Sequence, residues 1–543
     1  MEVNKTTEGE ELMALKFSRR CRQMLMGMAG AAILASAPAL AQEQPLVIAR
    51  HLEINSLDPH RAFCDTCQIY LTATYQGLVT LGPDNKTIVP VLAESWEVND
   101  DQTVFTFKLR KDAVFASGRP VTAQDFKWSF ERLKNLKADA SFMMEPVKSI
   151  ETPDDHTLVI TMNGPNSEFL GVLTAPYTVV VDREEAMANG ATADADAATT
   201  DKAEGWFHSH SAGSGPYVLK NYAADDELRF ARNEKFWGEK PAIAEIVIDQ
   251  VGEAVSQAQM LQSGAADIAM QIDPDTAKTI NSPDIVLETV PSYNFIYVAF
   301  SPGAEGNKVP LTKEVRQALA YAIDYDGVIQ FTVGGEGKPQ ASPIPNGFPG
   351  TEDLPMPVQD LDKARELLKA AGLENGFELD ATVAQMNVYG VDLVLLMQKL
   401  QQDLARVNVK LNIQPVASSV WREQVRNPGI PFTARFYAPD YFGSAQYVQF
   451  FGMVPDSFWL VRAGGNGKVD LLNQKETDLL KQAFAAGDGE RDKVYNEIAR
   501  EMINDRIIVP VVSPNLVLAY RNDVEGVRYS ACCNLPLAEL KRK

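Results

Sequence analysis

The chain is poor in the residues that metal chemistry and hydrolysis draw on. Its 543 residues hold five histidines and five cysteines. None of His51, His60, His156, His208 and His210 falls into HExxH, which excludes a zincin-type helix. GxSxG is missing as well, because Ser214 stands in AGSGP with Ala212 where the motif needs glycine. An exported hydrolase is therefore the remote alternative; no catalytic residue is assigned and no cofactor is expected. Positive charge is scarce, with 51 basic residues against 72 acidic ones. That balance argues against nucleic acid as a partner, since phosphate binding needs clustered Lys and Arg. It mildly favours cationic solutes. Beyond the first forty residues no apolar run is long enough to cross a bilayer. No internal repeat is present.

What is there begins with a leader. A basic patch, KFSRRCRQ, precedes MLMGMAGAAILASAPAL and then Ala39-Leu40-Ala41. This order predicts a signal peptide over residues 1–41, Gln42 as the mature start, and a periplasmic protein. Ser18-Arg19-Arg20 resembles a twin-arginine signal, but Arg22 and Gln23 stand where that signal prefers Phe and Leu, so the export route stays open. Cys21 precedes the apolar run and no cysteine stands directly after the cleavage point, which argues against a lipid anchor.

Four cysteines remain in the mature chain: Cys64, Cys67, Cys532 and Cys533. In an oxidising compartment they most simply form two disulfides, and cross-pairing the clusters would tie the chain ends together. Connectivity is not readable from sequence, and a zinc site is the rival. Gln68 follows Cys67, so the c-type haem pattern is missing. No helix-opening strand–helix context is evident around Cys64, which argues against thioredoxin-like chemistry. His208-x-His210 has ligand-like spacing, yet it borders a polar stretch and reads as solvated; no metal site is assigned.

Strands and helices alternate without strict βαβ order, so the class is mixed α/β, and 543 residues are too many for one core. TVFTFKLR (103–110) alternates as a half-buried strand. Thr122-x-x-Asp125 opens a helix as a capping box, with Phe126, Phe130 and Leu133 on one face. Further helices are expected at 69–77, after Thr312, from Leu361 to a stop at Gly372, and over 391–407. Residues 188–205, ANGATADADAATTDKAEG, read as a mobile surface loop.

One stretch poses a chemical question. RFYAPDYFGSAQYVQFF, Arg435 to Phe451, has seven aromatic residues among its seventeen and a single carboxylate, Asp440. A carboxylate near aromatic rings is costly to bury unless something pairs with it. Either Arg435 or Arg422 supplies an internal ion pair, or Asp440 awaits a cation from outside the chain.

Four segments carry a resemblance: LAESWEVNDDQTVFTFKLRKDAVFASGRPVTAQDF (92–126), GSGPYVL, NEKFWGEKPAIAEIVI and VRQALAYAIDYDGVI. In that order they resemble family 5 of the extracellular solute-binding proteins of ABC importers, the dipeptide, oligopeptide and nickel binders, from about Val47 to Val527. The resemblance implies a two-lobed type II binding fold with an extra subdomain and two crossing hinge strands, YNFIYVAF and IIVPVV. Lobe I would take 42–82, 211–290 and 513–543; the extra subdomain 83–210; lobe II 291–512. It implies a monomeric periplasmic protein that hands a small solute to a membrane permease with cytoplasmic ATPases. Asp440 would then meet a ligand ammonium, with Tyr437, Tyr441, Trp421, Phe63, Cys64, Tyr293, Asn294 and Arg435 as further candidate contacts. A peptide or other amine-bearing solute is the main expectation; a sugar, an opine or a nickel chelate is the alternative, and a chaperone or chemoreceptor role would use the same fold.

Overall fold

The computed structural model describes residues 44–465, 467–531 and 534–543. The expected signal peptide, with Cys21, and the pair Cys532 and Cys533 lie outside the described residues.

Leu46–Arg50 is buried along nearly its whole length, as a strand flanked on both edges and covered on both faces must be. It pairs in parallel with Glu245–Gln250 and with Ile268–Ala269. These strands form the middle of a seven-stranded sheet that ends in Tyr217–Ala223 on one side and Ile285–Val290 on the other. A six-stranded sheet is built around Phe295–Phe300, which is buried at all six positions. Phe432–Tyr437 and Ile508–Pro514 flank that strand, both antiparallel to it.

The chain passes between the sheets twice. It leaves Ile285–Val290 for Phe295–Phe300, and it returns from Ile508–Pro514 to Leu516–Arg521 with only Asn515 between. The two passages are tied to each other. Ser292 Oγ donates to Pro514 O at 2.9 Å, and Ser513 Oγ donates to Asn294 O at 3.1 Å.

A third sheet of four strands forms from residues 93–162. The expected alternation holds: Phe105, Phe107 and Leu109 are buried. The helix Ala123–Asn135 opens on the expected capping box, with the Asp125 carboxylate accepting from the Thr122 amide at 2.9 Å. Thr312 caps Lys313–Ala322, and 393–405 form the long helix expected there.

Two local expectations fail. The helix expected over 69–77 begins at Asp65 and ends at Thr74, because Gln76 and Gly77 pair as a strand with Val180 and Val179. The stretch 188–205 is no mobile loop. It carries short helices at Ala197–Thr200 and Glu204–Phe207, and Ala191, Ala197 and Ala203 are buried. Its anchor is Asp201, which accepts from Arg132 Nε at 2.9 Å and from the Thr192 and Ala203 amides. Arg132 also donates to Asp58 at 2.7 Å, with all three side chains out of water. A polar, alanine-rich composition hides this arrangement, since its partners lie 69 and 74 residues apart.

Removing one member of a buried ion network strands the others in low dielectric. Arg132→Met is expected to lower unfolding free energy by about 3–5 kcal/mol in a denaturant titration. A loss below about 1 kcal/mol, the scale of a surface pair, would show that the network does not hold 188–205 in place.

Candidate functional site

Between the seven- and six-stranded sheets lies a cavity of about 150 Å³. A larger groove of about 940 Å³ runs beside the edge strand Val409–Val416. It is open, and its charged residues Asp380 and Lys410 are already ion paired at the surface. The smaller cavity is where buried charge is left without a partner of opposite sign.

Phe432–Tyr437 supplies one wall. Strand periodicity sends Arg435 and Tyr437 to the same face, and both line the cavity. The turn that follows places Asp440. Its amide donates to Gln446 Oε1 at 2.9 Å, while Gln446 Nε2 donates to Gly443 O at 2.8 Å, so one side chain clamps the turn. Glu168, which follows the last strand of the four-stranded sheet, accepts from the Ser444 and Ala445 amides at 3.2 and 2.9 Å.

Asp440 is 3% exposed. It accepts from Tyr437 Oη at 2.8 Å and from Gln68 Nε2 at 2.9 Å. Burial pushes its carboxyl up to about 7; bonds from Tyr437, Gln68 and Tyr177 oppose the rise without overcoming it. Among the described residues no cation pairs with it. Arg435 and Arg422, the internal partners considered for it, instead both donate to Glu53 Oε1 at 2.8 Å. Burial alone would raise the Glu53 carboxyl, but these two guanidinium groups hold it below the usual range. Arg435 also lies 4.4 Å over the Trp421 ring.

At another part of the wall stands Arg462. Burial pulls its guanidinium down to about 9, with Asp139 opposing. Its Nε has no hydrogen-bond partner. The cavity thus holds an underpartnered acid and an underpartnered base, with the rings of Phe63, Tyr177, Tyr437 and Phe450 packed near one another.

Of the residues expected from sequence, the structure gathers Asp440, Tyr437, Trp421, Phe63, Cys64 and Arg435 around this cavity. Three stand elsewhere. Tyr441 is fully buried in the core beside the four-stranded sheet. Tyr293 packs on Phe348 and Phe442. Asn294 is buried at the crossing between sheets and bonds with Asn534 and Tyr529. Sequence reasoning missed Glu53, Gln68, Asp139, Tyr177 and Arg462. No local pattern marks them; Gln68 lies 372 residues from the acid it serves.

Cys64 and Cys67 are joined by a disulfide. They are therefore not zinc ligands in this state, and they do not cross-pair with the C-terminal cysteines. The missing helix context is also corrected: Cys64 is the N-cap of Asp65–Thr74. Among the described residues no group of three or more His, Cys, Asp or Glu is placed to hold a metal ion.

Residues 87–456 match the family model described as bacterial extracellular solute-binding proteins, family 5 Middle. The chain is similar to the probable D,D-dipeptide-binding periplasmic protein DdpA of Escherichia coli (strain K12), 27% identical over 522 residues, covering 94% of this chain and 96% of that one. Among solved structures it is similar to the ABC transporter-associated periplasmic binding protein DppA from Helicobacter pylori in complex with peptide STSA. That likeness has a TM-score of 0.79 at 20% identity and covers 92% of this chain and 98% of the other. The binding protein AgaA from A. tumefacien R10, in complex with agropinic acid, gives 0.76 at 23% identity, with coverage of 92% and 99%. These structural likenesses carry the fold, and the two-lobed α/β expectation holds.

The buried acid makes stability depend on pH. Between about pH 4 and pH 7 the native state keeps a proton on Asp440 that the unfolded chain gives up, so this group's contribution is full below pH 4 and fades as pH rises. Asp440→Asn is expected to flatten the pH dependence of unfolding free energy across that window by up to ~1.4 kcal/mol per pH unit. Parallel curves for the two proteins would show that the carboxyl titrates normally.

Proposed function

The chain belongs to the bacterial extracellular solute-binding proteins of family 5, and on that premise we propose that it captures a short peptide, or another small amine-bearing solute, by its ammonium on Asp440. It serves as the substrate-binding component of an ABC importer. We read export to the periplasm with cleavage after about Ala41, a monomeric state, and delivery to a membrane permease powered by cytoplasmic ATPases. We take 42–82, 211–290 and 513–543 as lobe I, 83–210 as its subdomain, 291–512 as lobe II, and the two passages between the sheets as the hinge.

The observation that carries the substrate reading is a buried carboxylate without a cation. Its hydrogen bonds come from both lobes, Gln68 from one and Tyr437 from the other. A ligand ammonium there would supply the missing charge and a charge-assisted bond in a site shielded from water. Touching both walls, it would favour the closed arrangement by its differential contacts. The unmet donor on Arg462 supports a ligand that also carries an acidic group. The volume of about 150 Å³ supports a solute of two residues or fewer, since drug-sized ligands fill roughly 300 Å³ or more. An opine has the same pair of charges, so it is the second reading. We assign no catalytic step to the cavity.

Thermal-shift titration tests this. A dipeptide such as Ala-Ala should raise the melting temperature with concentration, while glucose and nickel chloride should not. A shift with the sugar and none with dipeptides or opines would overturn the reading. Affinity should also follow pH. Below about 7 the proton on Asp440 must leave before an ammonium binds, so the association constant should fall about tenfold per pH unit. Above about 8 the peptide amine itself loses charge, and affinity should fall again. Asp440→Asn should remove the acidic limb and weaken binding by at least about a hundredfold; unchanged affinity would show that the ligand does not use this carboxylate.

A further inference from the structure

The two sulfurs of the cavity disulfide differ in a way that a purely structural staple does not need. Cys64 lines the cavity and is partly accessible, whereas Cys67 is fully buried in the core behind it. A nucleophile inside the cavity therefore meets only one of them. Cys64 caps the ten-residue helix Asp65–Thr74, and the Cys67 amide points at its sulfur at 3.0 Å. A helix start of this kind favours negative charge on the capping sulfur. Cys67 Sγ lies 3.3 Å from Asn55 Oδ1 and 3.5 Å from Ser56 O. A disulfide sulfur has no proton to give these acceptors; a released Cys67 thiol has one. The helix start eases the negative charge that builds on Cys64 during attack, and the leaving sulfur has acceptors for the proton it gains. The next residue, Gln68, donates to Asp440 at 2.9 Å, so the side chain that holds the ammonium anchor shares one turn of helix with the disulfide.

We propose that Cys64–Cys67 is a thiol-exchange site of the cavity, where a ligand carrying a cysteinyl thiol is captured as a mixed disulfide on Cys64. This rests on the reading of Asp440 as the anchor of an amine-bearing ligand. The ligand thiol loses its proton to water, and the thiolate attacks Cys64 Sγ. A ligand–Cys64 disulfide forms as the Cys64–Cys67 bond breaks. The electron pair leaves on Cys67 Sγ, which gains the equivalent of the proton the ligand thiol gave up and donates it to Asn55 Oδ1. One disulfide is consumed and one is made, so no outside oxidant enters. Attack by Cys67 on the Cys64 sulfur reverses the step and frees the ligand unchanged.

The test uses the oxidised exported chain and the dipeptide Ala-Cys. After quenching with iodoacetamide, intact mass and peptide mapping should place one Ala-Cys on Cys64 and one alkyl group on Cys67. The rate should saturate with Ala-Cys and exceed that of 2-mercaptoethanol, compared at equal thiolate concentration, by roughly a hundredfold, the gain of a bound over a colliding thiol. No adduct, an adduct confined to Cys532 or Cys533, or equal rates for the two thiols would overturn the exchange. Calorimetry with Ala-Ser separates the two readings. Heat from Ala-Ser with no adduct from Ala-Cys would sink the exchange and leave the ammonium site standing. No heat from Ala-Ser would remove the ammonium site, and the exchange with it.

Discussion

Desolvation of one carboxyl governs the cleft. Asp440 is buried, no side-chain cation among the described residues pairs with it, and its hydrogen bonds only partly offset the cost of charge. The neighbourhood is arranged to hold this unfavourable group in place. Gln446 clamps its turn from the following helix, Glu168 seats the start of that helix from beside the four-stranded sheet, and Gln68 reaches it from across the cleft. A fold that wanted only stability would fill this position with an apolar side chain. Keeping an acid there makes sense when the guest brings the opposite charge.

The arginines of the same wall divide into two kinds. Arg435 and Arg422 are satisfied by Glu53, a residue of the opposite wall, so they fasten one side of the cleft to the other. Arg462 is not satisfied, and its buried Nε waits for an acceptor. Charges already answered by the chain hold the walls together, and in the proposed function the unanswered ones select what lies between them. Ion pairs across the cleft also bias the empty protein toward closure, which a guest then strengthens through its own contacts with both walls.

Legibility followed the range of the interactions. Asp440 stood out because its aromatic neighbours are consecutive in the chain, and the capping box at Thr122 was plain because both partners lie within one turn. Arg435 was visible, but its partner was not, since Glu53 is 382 residues away. Asn294 and Tyr293 looked like cleft contacts from their place beside a hinge strand. Their side chains are instead spent on the crossing itself, where a buried amide must be satisfied. The stretch 188–205 misled for a related reason: small and polar residues resemble a linker until a distant arginine is found to bind one of them. Cys64 was read without its helix because the start of that helix is set by the cysteine itself, and a thiol is an uncommon cap.

The two passages between the sheets are stitched to one another through Ser292 and Ser513. Two independent straps would let the halves slide or twist; two straps sewn along one seam leave a single pivot, like a book bound at its spine. Travel is then smallest at the spine and grows with distance from it, so the outer margin of each cover sweeps the widest arc. A small angular change at the seam is magnified at the rim.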